Sequence, residues 1–226
     1  MKIDLQAFAD TTRLDRALAQ AVARALADGI DSRGNAALAV SGGRTPAGFF
    51  RELAAQELDW SRVTLTLADE RRVSDDDPAS NARCVAEHLL RGPAAAADFL
   101  PLHLAGEDAA SLNTRLAVLP VRFDAVILGM GEDAHTASIF PDSPQRDEAL
   151  AAHALDALFV EGAAPVRERI TLSARRLLAT RQLFLHITGE RKWQVLANAL
   201  VMPGPARPIS HFLHYPDTLP HVFWTR

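Results

Sequence analysis

Three short stretches of this 226-residue chain carry groups that can move protons or hold anions, two of them together with glycines. In GMGEDAHTAS, Gly129 to Ser138, Asp133 and His135 stand two residues apart in a glycine-rich segment. A histidine titrates near neutrality, so neutral His135 could take a proton from water. Asp133 could orient the imidazole or a substrate hydroxyl, although the same spacing also suits a simple loop hydrogen bond. In SGGRTP, Ser41 to Pro46, the glycines let backbone N–H groups approach an anion, and a helix start adds a favourable dipole. Ser41, Gly42, Gly43 and Thr45 would form such a cradle, or merely a tight turn; no Gly-Lys-Ser/Thr makes it a Walker motif. In ADERRV, Ala68 to Val73, Asp69 could position other groups and Arg71 could face a substrate anion, against the alternative of a solvated ion pair.

Other chemistries fit less well. GMGEDA matches G-x-G-x-x-A, a weak form of the dinucleotide fingerprint, but it falls past the middle of the chain, and SIFPDSP interrupts any following helix with two prolines. SDDD, Ser74 to Asp77, reads as a solvated run with a helix cap. His211 and His214 lack an evident third ligand, and the remaining histidines lie in helix or strand patterns. There is no H-E-x-x-H, so no metal is expected to be required. RERIT and GERK add late cations; Lys192, near a helix start after a strand, either faces the site or is solvated.

The elements that must position these groups alternate between strand and helix. Leu14, Leu18, Val22 and Leu26 mark one helix face. NAALAVSGG, VTLTLADER, FDAVILGMG and RQLFLHITG read as strands, as do the shorter DFLPLHL, DALFVEG and RITL. Thr45 with Pro46 predicts a capped helix start, and Asp77-Pro78 predicts another, running through Cys84 to Leu90. Helices are also expected over Ala109–Leu119, after Ser173, and in ERKWQVLANAL, with HVFW as a last edge strand. This alternation calls for a three-layer α/β fold, a mostly parallel sheet with helices on both faces. In such sheets ligands bind outside the carboxyl ends of the strands, where the three chemical stretches would converge.

Composition bounds the rest. The length allows one α/β domain over 1–226, and no linker argues for a split. A formal net charge of −4 gives no electrostatic footprint for nucleic acid. The only cysteine, Cys84, excludes an intramolecular disulfide. The charged N-terminus lacks a signal-like apolar core, and no apolar run approaches membrane-span length. The expectation is a cytoplasmic protein acting on a small molecule, with no nucleic-acid or membrane partner and no cofactor, as a monomer or small homo-oligomer.

Taken in order, SGGRTP, DERRV followed by Ser80-Asn81-Ala82, GMGEDAHTASIFP, RERIT and GERK resemble the 6-phosphogluconolactonase family, across roughly two-thirds of the chain. The resemblance implies the fold shared with glucosamine-6-phosphate deaminase and ribose-5-phosphate isomerase. It also implies hydrolysis of 6-phospho-D-glucono-1,5-lactone to 6-phosphogluconate. By the same resemblance, His135 matches the general base and Asp133 the acid of its loop. Ser41, Gly42, Gly43 and Thr45 match the phosphate turn, Arg169 and Lys192 its cationic partners, and Arg71 an arginine near the substrate. Asp69 and Asn81 match recurrent positions. Two residues depart from the pattern: Ala134 and Asp142 both stand where the family usually has glycine. If position 134 requires positive φ, alanine there carries strain of about 1 kcal/mol or more.

Overall fold

A computed structural model describes residues 2–43 and 45–226. Among the described residues ten strands and eight α-helices follow one another. The strands are β1 (Asp4–Phe8), β2 (Ala36–Val40), β3 (Val63–Leu67), β4 (Asp69–Arg71), β5 (Asp98–Leu100), β6 (Phe123–Leu128), β7 (Ala157–Glu161), β8 (Glu168–Leu172), β9 (Thr180–Thr188) and β10 (Pro220–Thr225). The helices are α1 (Thr11–Arg33), α2 (Ala47–Ala54), α3 (Asn81–His88), α4 (Ala109–Leu116), α5 (Arg146–Leu150), α6 (Ala174–Leu178), α7 (Glu190–Val201) and α8 (Ile209–Leu213).

Seven strands form one sheet in the order β1-β10-β9-β6-β2-β3-β5, and every pairing in it is parallel. With helices covering both faces the architecture is three-layered. Strands buried on both sides are largely apolar, and β2 and β6 are buried at every position; the one charged residue among them, Asp124 of β6, accepts from the Ala37 N–H at 2.8 Å and pairs with Arg33. The apolar stripe of α1 works as its spacing predicts: Leu14, Leu18, Val22 and Leu26 have no exposed surface. Asp10 caps that helix by accepting from the Arg13 N–H, and Gly34 closes it in the left-handed conformation.

Several boundaries differ from expectation. Pro46, not Thr45, occupies the N-cap of α2. Ser80, not Asp77, caps α3, because Asp77 instead accepts from the Ala79 N–H in a turn that delays the helix. That helix ends at His88 and α4 at Leu116. HVFW lies in β10, which is internal and not the edge strand expected: the N-terminal segment Asp4–Phe8, for which no strand was foreseen, pairs with it as the true edge. A second sheet, β4-β8-β7, is antiparallel and unforeseen. It places Arg71 opposite Arg169.

Because the main sheet is wholly parallel, the carboxyl ends of β2, β6 and β9 share one edge. Ser41 N–H donates to the Ile127 carbonyl at 3.0 Å, and Ala68 N–H to the Val40 carbonyl at 2.8 Å, so the segments leaving β2, β3 and β6 are stitched together there.

Candidate functional site

The segment after β6 is a tightly specified loop. Gly131 N–H donates to the His135 carbonyl at 2.9 Å, Ala134 N–H to the Gly131 carbonyl at 3.1 Å, and Thr136 Oγ1 to the Gly129 carbonyl at 2.8 Å. Ala134 and Ala137 adopt φ of 66° and 48°. The positive φ at position 134 is therefore real, and alanine bears its cost of about 1–2 kcal/mol. The Ala134 carbonyl is held by the Ile209 N–H at 3.1 Å.

Within this loop His135 Nδ1 lies 2.5 Å from Asp133 Oδ1, which also accepts the His135 backbone N–H at 3.1 Å. In the neutral ring, Nδ1 donating to the carboxylate would leave the lone pair on Nε2. The imidazole stacks on Phe140, with centroids 4.3 Å apart and planes inclined by 29°. Burial works against the charge on Asp133, but the His135 hydrogen bond and charge outweigh it and hold that carboxyl below its usual value. A Cβ at Gly131 would overlap both His135 Nδ1 and Asp133 Oδ1, so the second glycine of G-x-G makes room for the acid–histidine pair.

Cations come from three places. Arg71 and Arg169 face each other across β4 and β8. Arg169 donates through Nε to the Val166 carbonyl at 2.7 Å, and burial, then the neighbouring Arg71 charge, push its pKa down. Arg71 donates to the Ala79 carbonyl, while its buried Nε finds no protein partner among the described residues. Two adjacent, incompletely paired guanidiniums favour an anion between or beside them. Lys192, in the first turn of α7, is pushed down by burial, with Glu132 opposing.

The Ser41 loop completes the site. Gly129 N–H points to Ser41 Oγ at 3.4 Å. Gly42 abuts the Asn81 side-chain amide so closely that a Cβ would overlap it. Asn81 is itself pinned, its Nδ2 donating to the Asp69 carbonyl at 2.8 Å, and Asp69 Oδ2 accepts from Ser138 Oγ at 2.6 Å. Beneath them Glu70 accepts from the backbone N–H groups of Arg71, Asn81 and Ala82 at 2.6, 2.8 and 2.7 Å. Glu70 was not foreseen as important; its buried carboxylate ties β4 to the N-terminus of α3, where the dipole favours negative charge.

These segments enclose a cleft of about 180 Å³. Of the residues expected to serve the site, Ser41, Gly42, Thr45, Asp69, Arg71, Asn81, His135, Arg169 and Lys192 line it. Asp133 reaches the cleft through His135. Gly43 is outside the wall, turning with φ 102° while its carbonyl accepts from Cys84 Sγ at 3.3 Å. Lys192, ambiguous in sequence, lines the wall. His186 and Met130 also line it and were not singled out; for His186 the available signal was a polar residue late in an apolar strand that leads to the GERK turn. Among the described residues no group of three or more His, Cys, Asp or Glu could hold a metal ion. Nor is any described helix long and apolar enough to cross a membrane.

Residues 9–219 match the family described as glucosamine-6-phosphate isomerases/6-phosphogluconolactonase. A 6-phosphogluconolactonase of Rhizobium meliloti is 41% identical, over 99% of this chain and 99% of its own. One from Mesorhizobium japonicum is 44% identical over 96% of this chain and 93% of its own. The crystal structure of a 6-phosphogluconolactonase from Shewanella baltica superimposes with a TM-score of 0.96 at 38% identity, covering 100% of this chain and 98% of that one.

Proposed function

This chain belongs to the glucosamine-6-phosphate isomerase/6-phosphogluconolactonase family, and from that premise we propose that it hydrolyses 6-phospho-D-glucono-1,5-lactone to 6-phospho-D-gluconate in the oxidative pentose phosphate pathway. The observation that carries this reading is a histidine backed by a carboxylate in the same cleft as three cationic side chains. Relatives called 6-phosphogluconolactonase, similar over nearly the whole chain, support it.

A lactone is an activated ester, so a base and stabilisation of the developing oxyanion suffice. His135 Nε2 accepts a proton from water as the oxygen attacks the lactone carbonyl. Asp133 holds the ring in that tautomer and stabilises the imidazolium. The tetrahedral intermediate collapses with cleavage of the ring C–O bond, and the departing alkoxide takes the proton back from His135. Arg71 faces the substrate and offsets developing negative charge. The Ser41, Gly42 and Thr45 turn, with Lys192 and Arg169, holds the phosphoryl group and so orients the lactone from a non-reacting end. Asp69 and Asn81 set the wall between these regions.

The test is proton release on mixing the protein with freshly made lactone in weak buffer, compared with spontaneous opening. Acceleration that survives a chelator supports a metal-independent lactonase. A rate equal to the blank from folded protein, with ammonia released from glucosamine-6-phosphate, would transfer the chain to the other activity in the family's description.

A further inference from the structure

Two buried polar groups beside the cleft play no part in the proposed hydrolysis. His186, in β9, lines the cleft near Lys192 yet is only 4% exposed. Asp15, in α1, is 9% exposed, and its Oδ1 lies 3.5 Å from His186 Nε2. That separation exceeds the usual N–H···O range. The other Asp15 oxygen nests against Gly48 in the first turn of α2, where a Cβ would overlap it. Phe49 presents its ring to the imidazole at 72°, centroids 6.1 Å apart. An acid and an imidazole thus face one another in an apolar setting, loosely coupled, at the wall of a ligand cleft. Buried polar groups normally have close partners, so an underused pair here points to a third participant from the cleft.

The charges that bear on the pair come from two elements, α2 and α7. Burial pushes Asp15 up to about 6, with Glu52 of α2 adding to the rise and Arg51 opposing it. Burial presses His186 down to about 4, assisted by the Lys192 charge on α7. At neutral pH the imidazole is therefore uncharged and Asp15 ionised, and the pair has room for one more proton.

We infer that His186, with Asp15 behind it, is a positioning residue for the anionic end of the substrate, and that the pair takes up one proton when a dianion occupies the part of the cleft lined by Ser41, Thr45 and Lys192. The proton comes from solvent; Asp15 is the more basic of the two while the cleft is empty, but only His186 lines the cleft, so a dianion there favours the proton on the imidazole, giving a His186 cation beside the Asp15 carboxylate, and no bond of the ligand is made or broken. The dianion supplies the opposite charge that burial alone denies the imidazole. This inference rests on the phosphate-end assignment made above.

The probe is sulfate, which remains dianionic throughout the working range, titrated calorimetrically at pH 7 in buffers of different ionisation enthalpy. Wild-type protein is expected to take up close to one proton per sulfate, with affinity falling by up to about tenfold per pH unit as pH rises from 6 to 8. His186→Gln is expected to abolish the uptake and flatten the pH dependence, raising KM for the lactone more than it lowers kcat. Asp15→Asn, a second variant should the first not fold, is expected to reduce the uptake. A merely structural pair would change melting temperature and leave the proton count intact. Sulfate binding without proton exchange in wild type, or uptake that survives in folded His186→Gln, would overturn the inference. Proton-silent binding alongside lactone turnover would overturn it alone; proton-linked binding without turnover would instead overturn the lactonase reading. Failure of sulfate to bind would remove the phosphate end and this inference together.

Discussion

The loops that follow β6 and β2 leave the same sheet edge but are built differently. The histidine loop is closed on itself by the Gly131–His135, Ala134–Gly131 and Thr136–Gly129 hydrogen bonds, and it tolerates two alanines at positive φ. Strain of that kind persists only where surrounding contacts over-determine the backbone. In the Ser41 loop, the Gly129 N–H reaches Ser41 Oγ only at 3.4 Å, and the Gly43 carbonyl is held by a weak donor, the Cys84 thiol, at 3.3 Å. A Cβ at Gly43 would meet open space. The difference matches the tasks proposed for them. A base must keep one nitrogen aimed at a water molecule, whereas an anion can be held by several donors whose exact placement matters less.

Substitutions in the two loops should therefore fail in different ways. The largest effect is expected from His135→Ala, which should lower kcat by a factor on the order of 10² or more while leaving sulfate affinity near wild type; near-normal turnover would eliminate the base role. Next, Gly131→Ala should displace the Asp133–His135 pair and cost roughly 10²-fold in kcat, since misplacements on the order of 1 Å have that effect. Gly42→Ala, which meets the Asn81 amide, should act chiefly on KM. If the two alanines gave the same kinetic signature, the division of labour between the loops would be wrong.

Lys192→Ala should raise KM for phosphorylated lactone by about tenfold, the loss of one charge-assisted contact of about 1.5 kcal/mol, with little change in kcat. An unchanged preference for phosphorylated over plain lactone would count against its assignment. The smallest effect belongs to Ala134→Gly. Relief of about 1–2 kcal/mol of left-handed strain is opposed by the lost methyl group and the freer unfolded chain, so stability should change by less than about 1 kcal/mol. Thermal melting would measure it, and a large loss would mean that the methyl packs more tightly than its strain costs.

Much of the site was legible in sequence because its groups sit immediately after strands. Apolar runs ending at Val40, Leu67 and Leu128 locate their successors on one edge as soon as the sheet is parallel, and Ser41, Asp69 and His135 follow from that. The helix starts were less legible. Thr45 and Asp77 have the right residue type, yet caps depend on which backbone N–H is left free, and that was decided by the turns at Pro46 and Ser80.

What the sequence determined by itself is what short-range periodicity can encode: the alternation of strand and helix, the buried stripe of α1, and the loops after the strands with their acids, histidine and cations. Pairing between distant segments lies beyond periodicity. Asp4–Phe8 became the sheet edge only because β10 offered it an unpaired flank. Arg71 met Arg169 only through the antiparallel register of β4 with β8. His186 looked like an ordinary strand histidine until the packing of α1 and α2 brought Asp15 and Phe49 against it. Contacts of that kind are made when the layers close over the sheet, since burying apolar faces selects which polar groups are carried inside together.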